Sequence, residues 1–151
     1  MQHEQHRLRV IGIGSNHGVD QLGWLACEML QKKMKAYPID WQLCRTPAQL
    51  PELFCNCDTA VLIDALISNK PIGQVLTLSK DDLLSLSSPW SSHGISVVEA
   101  LKLTEALGQL PANYIILGIA TSISEMEIEN IVLTALPQLE QSLMKSISNS
   151  P

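Results

Sequence analysis

Three side chains able to bind a divalent metal stand in three separate connecting segments of this chain: Asp20, Asp64 and His93. Two carboxylates and one imidazole form a mixed oxygen and nitrogen donor set. Such a set suits zinc, nickel, manganese or iron, and three protein donors leave coordination positions open for a substrate. Each residue also has an ordinary role available. Asp20 precedes a helical pattern, where Asp is a common N-cap and suits the helix dipole. Asp64 follows Val61-Leu62-Ile63, where an unpaired carboxylate is expensive to bury, so it must be capped, ion-paired or a ligand. His93, in Ser91-Ser92-His93-Gly94, is a surface or capping residue if it stands alone.

Rival constellations are poorer. Gly12-Ile13-Gly14 followed by Gly18 lacks the G-x-G-x-x-G spacing of a dinucleotide fold, although Asp40 stands near the place of its acidic residue. Cys55-Asn56-Cys57 is a single C-x-C pair, and zinc sites of that type need a second pair. No G-x-S-x-G elbow is present, so a serine hydrolase of the α/β type is not supported.

The elements that must position these groups follow from hydropathy. Leu8 to Gly14 is a short apolar run ending in glycines, as a buried parallel strand does before a turn. Ser15 to Asp20 is a polar loop, and Leu22, Leu25, Ala26, Met29, Leu30 and Met34 then recur at helical spacing, which predicts a helix over about 20–36. Ile39–Cys44 reads as a second strand, and Pro47 and Pro51 mark a loop with room for one helical turn. Thr59–Leu66 is the clearest buried strand, with Asp64 at its end; Gln74–Leu78 is a fourth strand. A Ser-rich segment, 79–93, reads as a long loop. Helical spacing returns over Ile95–Leu107, a fifth strand over Tyr114–Ile119, and an amphipathic helix over Glu125–Ile147 that Pro137 should kink or restart.

Strands alternating with helices predict an α/β fold: three layers, with a twisted, mostly parallel sheet of about five strands flanked by helices. In such sheets ligands bind beyond the carboxyl ends of the strands. The loop carrying Asp20, the strand end carrying Asp64 and the loop carrying His93 all belong to that edge.

Composition sets the outer limits. The 151 residues suit one domain over 1–151, with polar tails at 1–7 and 146–151 expected to be mobile. A hydrophobic share of 46% with 17% charged residues is a globular balance. The net charge of −5 and the lack of a basic run argue against nucleic-acid binding. No stretch of 18 apolar residues offers a membrane span, and the polar start shows no signal-peptide core, so a cytoplasmic protein with reduced thiols is expected.

The pattern resembles the hydrogenase maturation proteases, the endopeptidases that trim the C-terminus of the large subunit of nickel–iron hydrogenases. The segments that carry the resemblance are Gly12-Ile13-Gly14 with Asp20-Gln21-Leu22-Gly23, Val61-Leu62-Ile63-Asp64-Ala65, Ser92-His93-Gly94, Leu117-Gly118-Ile119 and Leu133-Thr134-Ala135-Leu136-Pro137. It implies the phosphorylase/hydrolase-like fold and a metal-dependent endopeptidase acting on a hydrogenase large-subunit precursor after nickel insertion. It also implies Asp20, Asp64 and His93 as the metal-contacting positions. The metal would be the substrate's own nickel, for which zinc or another divalent ion could substitute.

The chain departs from the family pattern in places. Ser15 follows Gly14 where Asn is usual, and the first loop is one residue short. Counted back from Gly23, Asp20 takes the ligand position; counted forward from Gly14, Gln21 does. Cys44-Arg45-Thr46 replaces a Gly-Gly-Thr stretch tied to substrate recognition, which makes Arg45 and Thr46 the recognition candidates. Ala120-Thr121-Ser122 stands where an acid is usual. Two alternatives therefore stay open: a degenerate relative that binds nickel or precursor without cleaving, and a small-molecule-binding α/β protein that shares only the fold.

Overall fold

The alternating pattern resolves into one sheet of five strands in the order β2-β1-β3-β5-β4. The computed structural model describes residues 8–79, 81–82, 92–122, 124 and 127–148, and, in the helix that begins at Ser92, side chains from Val97 onward. The elements are β1 (Leu8–Ile13), α1 (Leu22–Lys33), β2 (Ile39–Cys44), α2 (Leu50–Leu53), β3 (Thr59–Ile67), β4 (Val75–Leu78), α3 (Ser92–Ala106), β5 (Asn113–Thr121) and α4 (Ile128–Ser148). Strands β2, β1, β3 and β5 run parallel, and the short edge strand β4 is antiparallel to β5.

The near-continuous apolar runs of β1, β3 and β5 follow from being covered on both faces. Val10, Val61, Ile63, Leu117 and Ile119 face Leu22, Ala26 and Leu30 of α1 and Val132, Leu139 and Leu143 of α4. The intervening residues Ile11, Ile13, Ala60, Leu62 and Ile116 face Leu50 and Phe54 at α2 and Val97 and Leu101 of α3. Each such side chain, fully buried, is worth roughly 1.5–3 kcal/mol, so the two layers of contacts hold the central strands in place.

At the amino edge of the sheet Arg9 binds across three elements. Its Nε donates to Asp40 Oδ2 at 2.7 Å, and Nη1 donates to the carbonyls of Leu53 and Cys55 at 2.8 and 2.6 Å. The turn after α2 is thereby fastened to β1 and β2.

Three expectations need correction. Of the kink or restart expected at Pro137, the restart does not occur: the last helix runs as one segment through it. Pro137 sits on the exposed side of α4, where water can satisfy the carbonyl that loses its partner. The same helix continues to Ser148, into the stretch expected to be a tail, because Ile147 packs against the core. The strand expected over Thr59–Leu66 is one residue longer, so Asp64 lies within it rather than at its end: Ala65, Leu66 and Ile67 follow and pair with Ile119, Ala120 and Thr121 of β5. Most of the Ser-rich segment lies outside the described residues.

Candidate active site

The topology fixes where a crevice must form. From β1 the chain crosses through α1 to β2 on one side, then returns past β1 to β3 on the other. The sheet therefore changes direction between β1 and β3, and a cleft opens above their carboxyl ends. β3 outruns β1 here: the last residue paired with β1 is Ile63, against Gly12. Asp64, the next residue, has a sheet partner on one side only, Gly118 of β5. The open side is filled by a 3-10 turn, Gly18–Gln21, which carries Asp20 and packs against β3.

Two glycines make this fit possible. A Cβ on Gly14 would lie 2.1 Å from the Asp20 carbonyl oxygen, so only glycine lets the turn fold back over β1. A Cβ on Gly23 would lie 2.2 Å from the Ile13 carbonyl oxygen and 2.5 Å from that of Ile63. The first turn of α1 is thus seated directly on the backbones of the two central strands. Ser15 N–H donates to the Asp20 carbonyl and Asp20 N–H to that of His17, both at 3.0 Å, which closes the loop.

Asp20 is not the N-cap of α1. That position belongs to Gln21, which makes no side-chain cap bond. Asp20 is turned instead into electrostatic reach of Asp64. Asp64 is 7% exposed and shares a small apolar cavity with Ile13, Leu66, Leu78, Val97 and Ile116. Among the described residues its carboxylate accepts one hydrogen bond, from Ala65 N–H to Oδ1 at 2.8 Å. Burial pushes its pKa well above the ordinary carboxyl value; the Ala65 bond opposes this, and the negative charge of Asp20 pushes it further up. A strand-interior carboxyl that is this dry and this sparsely bonded is poorly satisfied among the described residues.

His93 is the second residue of α3, one turn before Val97, which lines the cavity beside Asp64. Its side chain lies outside the described residues, and among those no three His, Cys, Asp or Glu side chains cluster as a metal site. The helix start thus stands at the same edge as Asp20 and Asp64.

Arg45 and Thr46 follow β2 at that edge. The Arg45 guanidinium lies 5.5 Å from the centroid of the Trp24 ring, and Trp24 Nε1 donates to the Cys44 carbonyl at 3.2 Å. Gln49 Oε1 accepts from the N–H groups of Arg45 and Thr46 at 2.7 and 3.2 Å, which fixes the backbone of both. The Cys44 thiol donates to the Thr46 carbonyl at 3.0 Å. Burial, with the charge of Asp64, pushes that thiol up to about 11, so it stays protonated. Neither Trp24 nor Cys44 was given a role from sequence. Trp24 reads there as one more helix residue, and Cys44 only as the first residue of the altered Cys44-Arg45-Thr46 stretch.

The fold is one already seen in solved structures. The hydrogenase maturating endopeptidase HybD from E. coli aligns with a TM-score of 0.71 at 19% identity, over 93% of each chain. A solution structure of an endopeptidase from Escherichia coli aligns at 0.75 with 19% identity, again over 93% of each chain. The [NiFe] hydrogenase maturation protease HycI from Thermococcus kodakarensis KOD1 aligns at 0.67 with 22% identity, over 95% of this chain and 93% of that one. At such identities these likenesses establish the fold alone. No curated protein sequence matches the chain. The family comparison is more decisive: residues 45–146 match the hydrogenase maturation protease family, HycI, a region that holds Arg45, Thr46, Asp64 and His93 and begins after Asp20. Two thirds of the chain lie within that match, and the chain therefore belongs to the hydrogenase maturation proteases, a family of endopeptidases.

Proposed function

We propose that this endopeptidase removes the C-terminal extension of a nickel–iron hydrogenase large-subunit precursor, and that it does so in the cytoplasm once nickel has been inserted. In this reading nickel arrives with the substrate, and Asp20, Asp64 and His93 complete its coordination. The observation that carries the reading is Asp64, a buried carboxyl with a single hydrogen bond among the described residues, raised in pKa and facing a second acid. A cation at this place would offset both the burial of Asp64 and the repulsion from Asp20. Oxygen donors from two acids and a nitrogen from His93 fit nickel, zinc or another divalent ion. A divalent ion there supplies Lewis-acid polarisation of a carbonyl. The counting that gives Asp20 the ligand position draws support from Gly23, since the start of α1 is anchored at that residue. A cytoplasmic setting suits the free thiols at Cys27, Cys44, Cys55 and Cys57.

The test is intact mass of the cognate precursor, nickel-loaded and nickel-free, before and after incubation with the protein. The expected result is loss of a C-terminal peptide from the loaded form only. An unchanged mass in a precursor shown to hold nickel would sink the protease reading and leave a protein that binds without cutting. Arg45, held against Trp24 after the carboxyl end of β2, is read as a substrate-binding group. Arg45→Ala should raise KM about tenfold, the worth of one charge-assisted contact, with kcat nearly unchanged. A fall in kcat with KM unaltered would remove Arg45 from recognition.

A further inference from the structure

At the opposite edge of the sheet from Asp64, the turn between α2 and β3 carries Cys55 exposed and Cys57 buried, both free thiols. The residue between them, Asn56, has φ 65, the left-handed region that Asn tolerates better than most residues. With two virtual bonds of 3.8 Å folded around a left-handed residue, the Cα atoms of positions 55 and 57 stand roughly 5.5 Å apart. That separation is the commonest one in disulfides, which span about 4.4–6.8 Å. Both sulfurs lean back over the same short helix: Cys55 Sγ donates to the Pro51 carbonyl at 3.5 Å and Cys57 Sγ to the Phe54 carbonyl at 3.4 Å. The turn is also held from below, since Arg9 Nη1 binds the carbonyls of Leu53 and Cys55.

We infer that Cys55 and Cys57 form a reversible redox site, closed to a C-x-C disulfide by a low-molecular-weight disulfide such as that of glutathione. Cys55 is the entry thiol, because an oxidant reaches it from solvent. Its thiolate attacks one sulfur of glutathione disulfide, that S–S bond breaks, and one glutathione leaves as thiolate. The Cys57 thiolate then attacks the Cys55 sulfur of the mixed disulfide, and the second glutathione leaves. Two protein thiols lose two electrons in all. One glutathione disulfide becomes two glutathiones, which take up the two thiol protons. Burial pushes the Cys57 thiol up, as do the charges of Asp58, Asp40 and Cys55, and the Arg9 guanidinium opposes them, so the second step is the slower one. Cys27, pushed up to about 12 by burial, and Cys44 take no part.

The full chain is treated under native conditions with excess glutathione disulfide, quenched in acid, unfolded, alkylated, and read by intact mass and peptide map. The expected product has lost two alkylatable thiols and carries no glutathione. Its map shows Cys55 linked to Cys57, with Cys27 and Cys44 alkylated, and dithiothreitol restores both thiols. Cys57→Ser should instead keep one glutathione on Cys55, and Cys55→Ser should take up none. Wild-type protein that stops at a stable glutathione adduct on Cys55, or in which all four cysteines are alkylated, overturns the inference without recourse to either variant.

Discussion

Replacing Asp64 with Asn should lower release of the C-terminal peptide roughly 100-fold or more, the several kcal/mol that a held cation contributes to a charged transition state, while making the protein harder to melt at pH 7. The two effects come from one cause. Asp64 is buried, accepts one hydrogen bond among the described residues and faces the charge of Asp20, so its folded-state pKa lies well above the ordinary 3.8. A carboxyl raised in this way contributes its full stability below about pH 3.8 and loses it as pH rises through the folded value. At pH 7 the wild-type chain bears the cost of that group, and an uncharged amide of the same shape does not. Each kcal/mol recovered would appear as roughly 2–4 °C in Tm for a chain of this length. The advantage of the variant should shrink toward pH 4. Thermal melts at the two pH values, beside a processing assay, separate the outcomes. A variant that is fully active removes Asp64 from the site. One that is destabilised equally at both pH values marks Asp64 as structural.

Gly23→Ala should be among the most damaging single-methyl changes in the described chain. Its Cβ would meet the carbonyl oxygens of Ile13 and Ile63 at 2.2 and 2.5 Å, and both belong to the backbone of central strands that have no room to retreat. Helix α1 would have to lift off the sheet, taking the Asp20 turn with it. The expected loss is on the order of 4 kcal/mol, above the usual range for overpacking because no side chain can swing away. Against a total stability of about 5–15 kcal/mol this leaves little folded protein at 37 °C. Gly18→Ala is the control. Gly18 has φ +52 but nothing within 4 Å of the added carbon, so only backbone strain is incurred, about 1 kcal/mol. Urea midpoints measure both. A Gly23 variant as stable as the Gly18 variant would show that α1 is not seated as described.

The parts of the fold that were legible in the sequence are those governed by local pattern. Ile39–Cys44 occupies the expected range because its ends carry turn residues and its pairing needs no other signal. The family signature was also legible, since it rests on motif order. Other features depend on tertiary neighbours. Asp is depleted in strands, yet the strand read over Thr59–Leu66 carries Asp64 inside it, and β5 extends the pairing to Ile67. Nothing local tells that β4 runs antiparallel, because an edge strand's direction is set by the chain around it. Asp20 reads as a cap, and only the packing of its turn against β3 turns it toward a second acid. Trp24 carries no motif, and its part beneath Arg45 emerges when β2 is laid beside α1.

The seat of α1 also has a consequence for the order of folding. Its walls are the carbonyls of Ile13 and Ile63, which belong to adjacent strands but lie far apart along the chain. Helix α1 can form early from its own sequence, yet it cannot dock until β3 has come alongside β1, a long-range closure of the kind that slows folding. The two acids are therefore brought face to face only after that closure. A chain caught before it would expose the helix and both strands while holding no assembled cleft, so proteolytic competence and completion of the central sheet arrive in a single step.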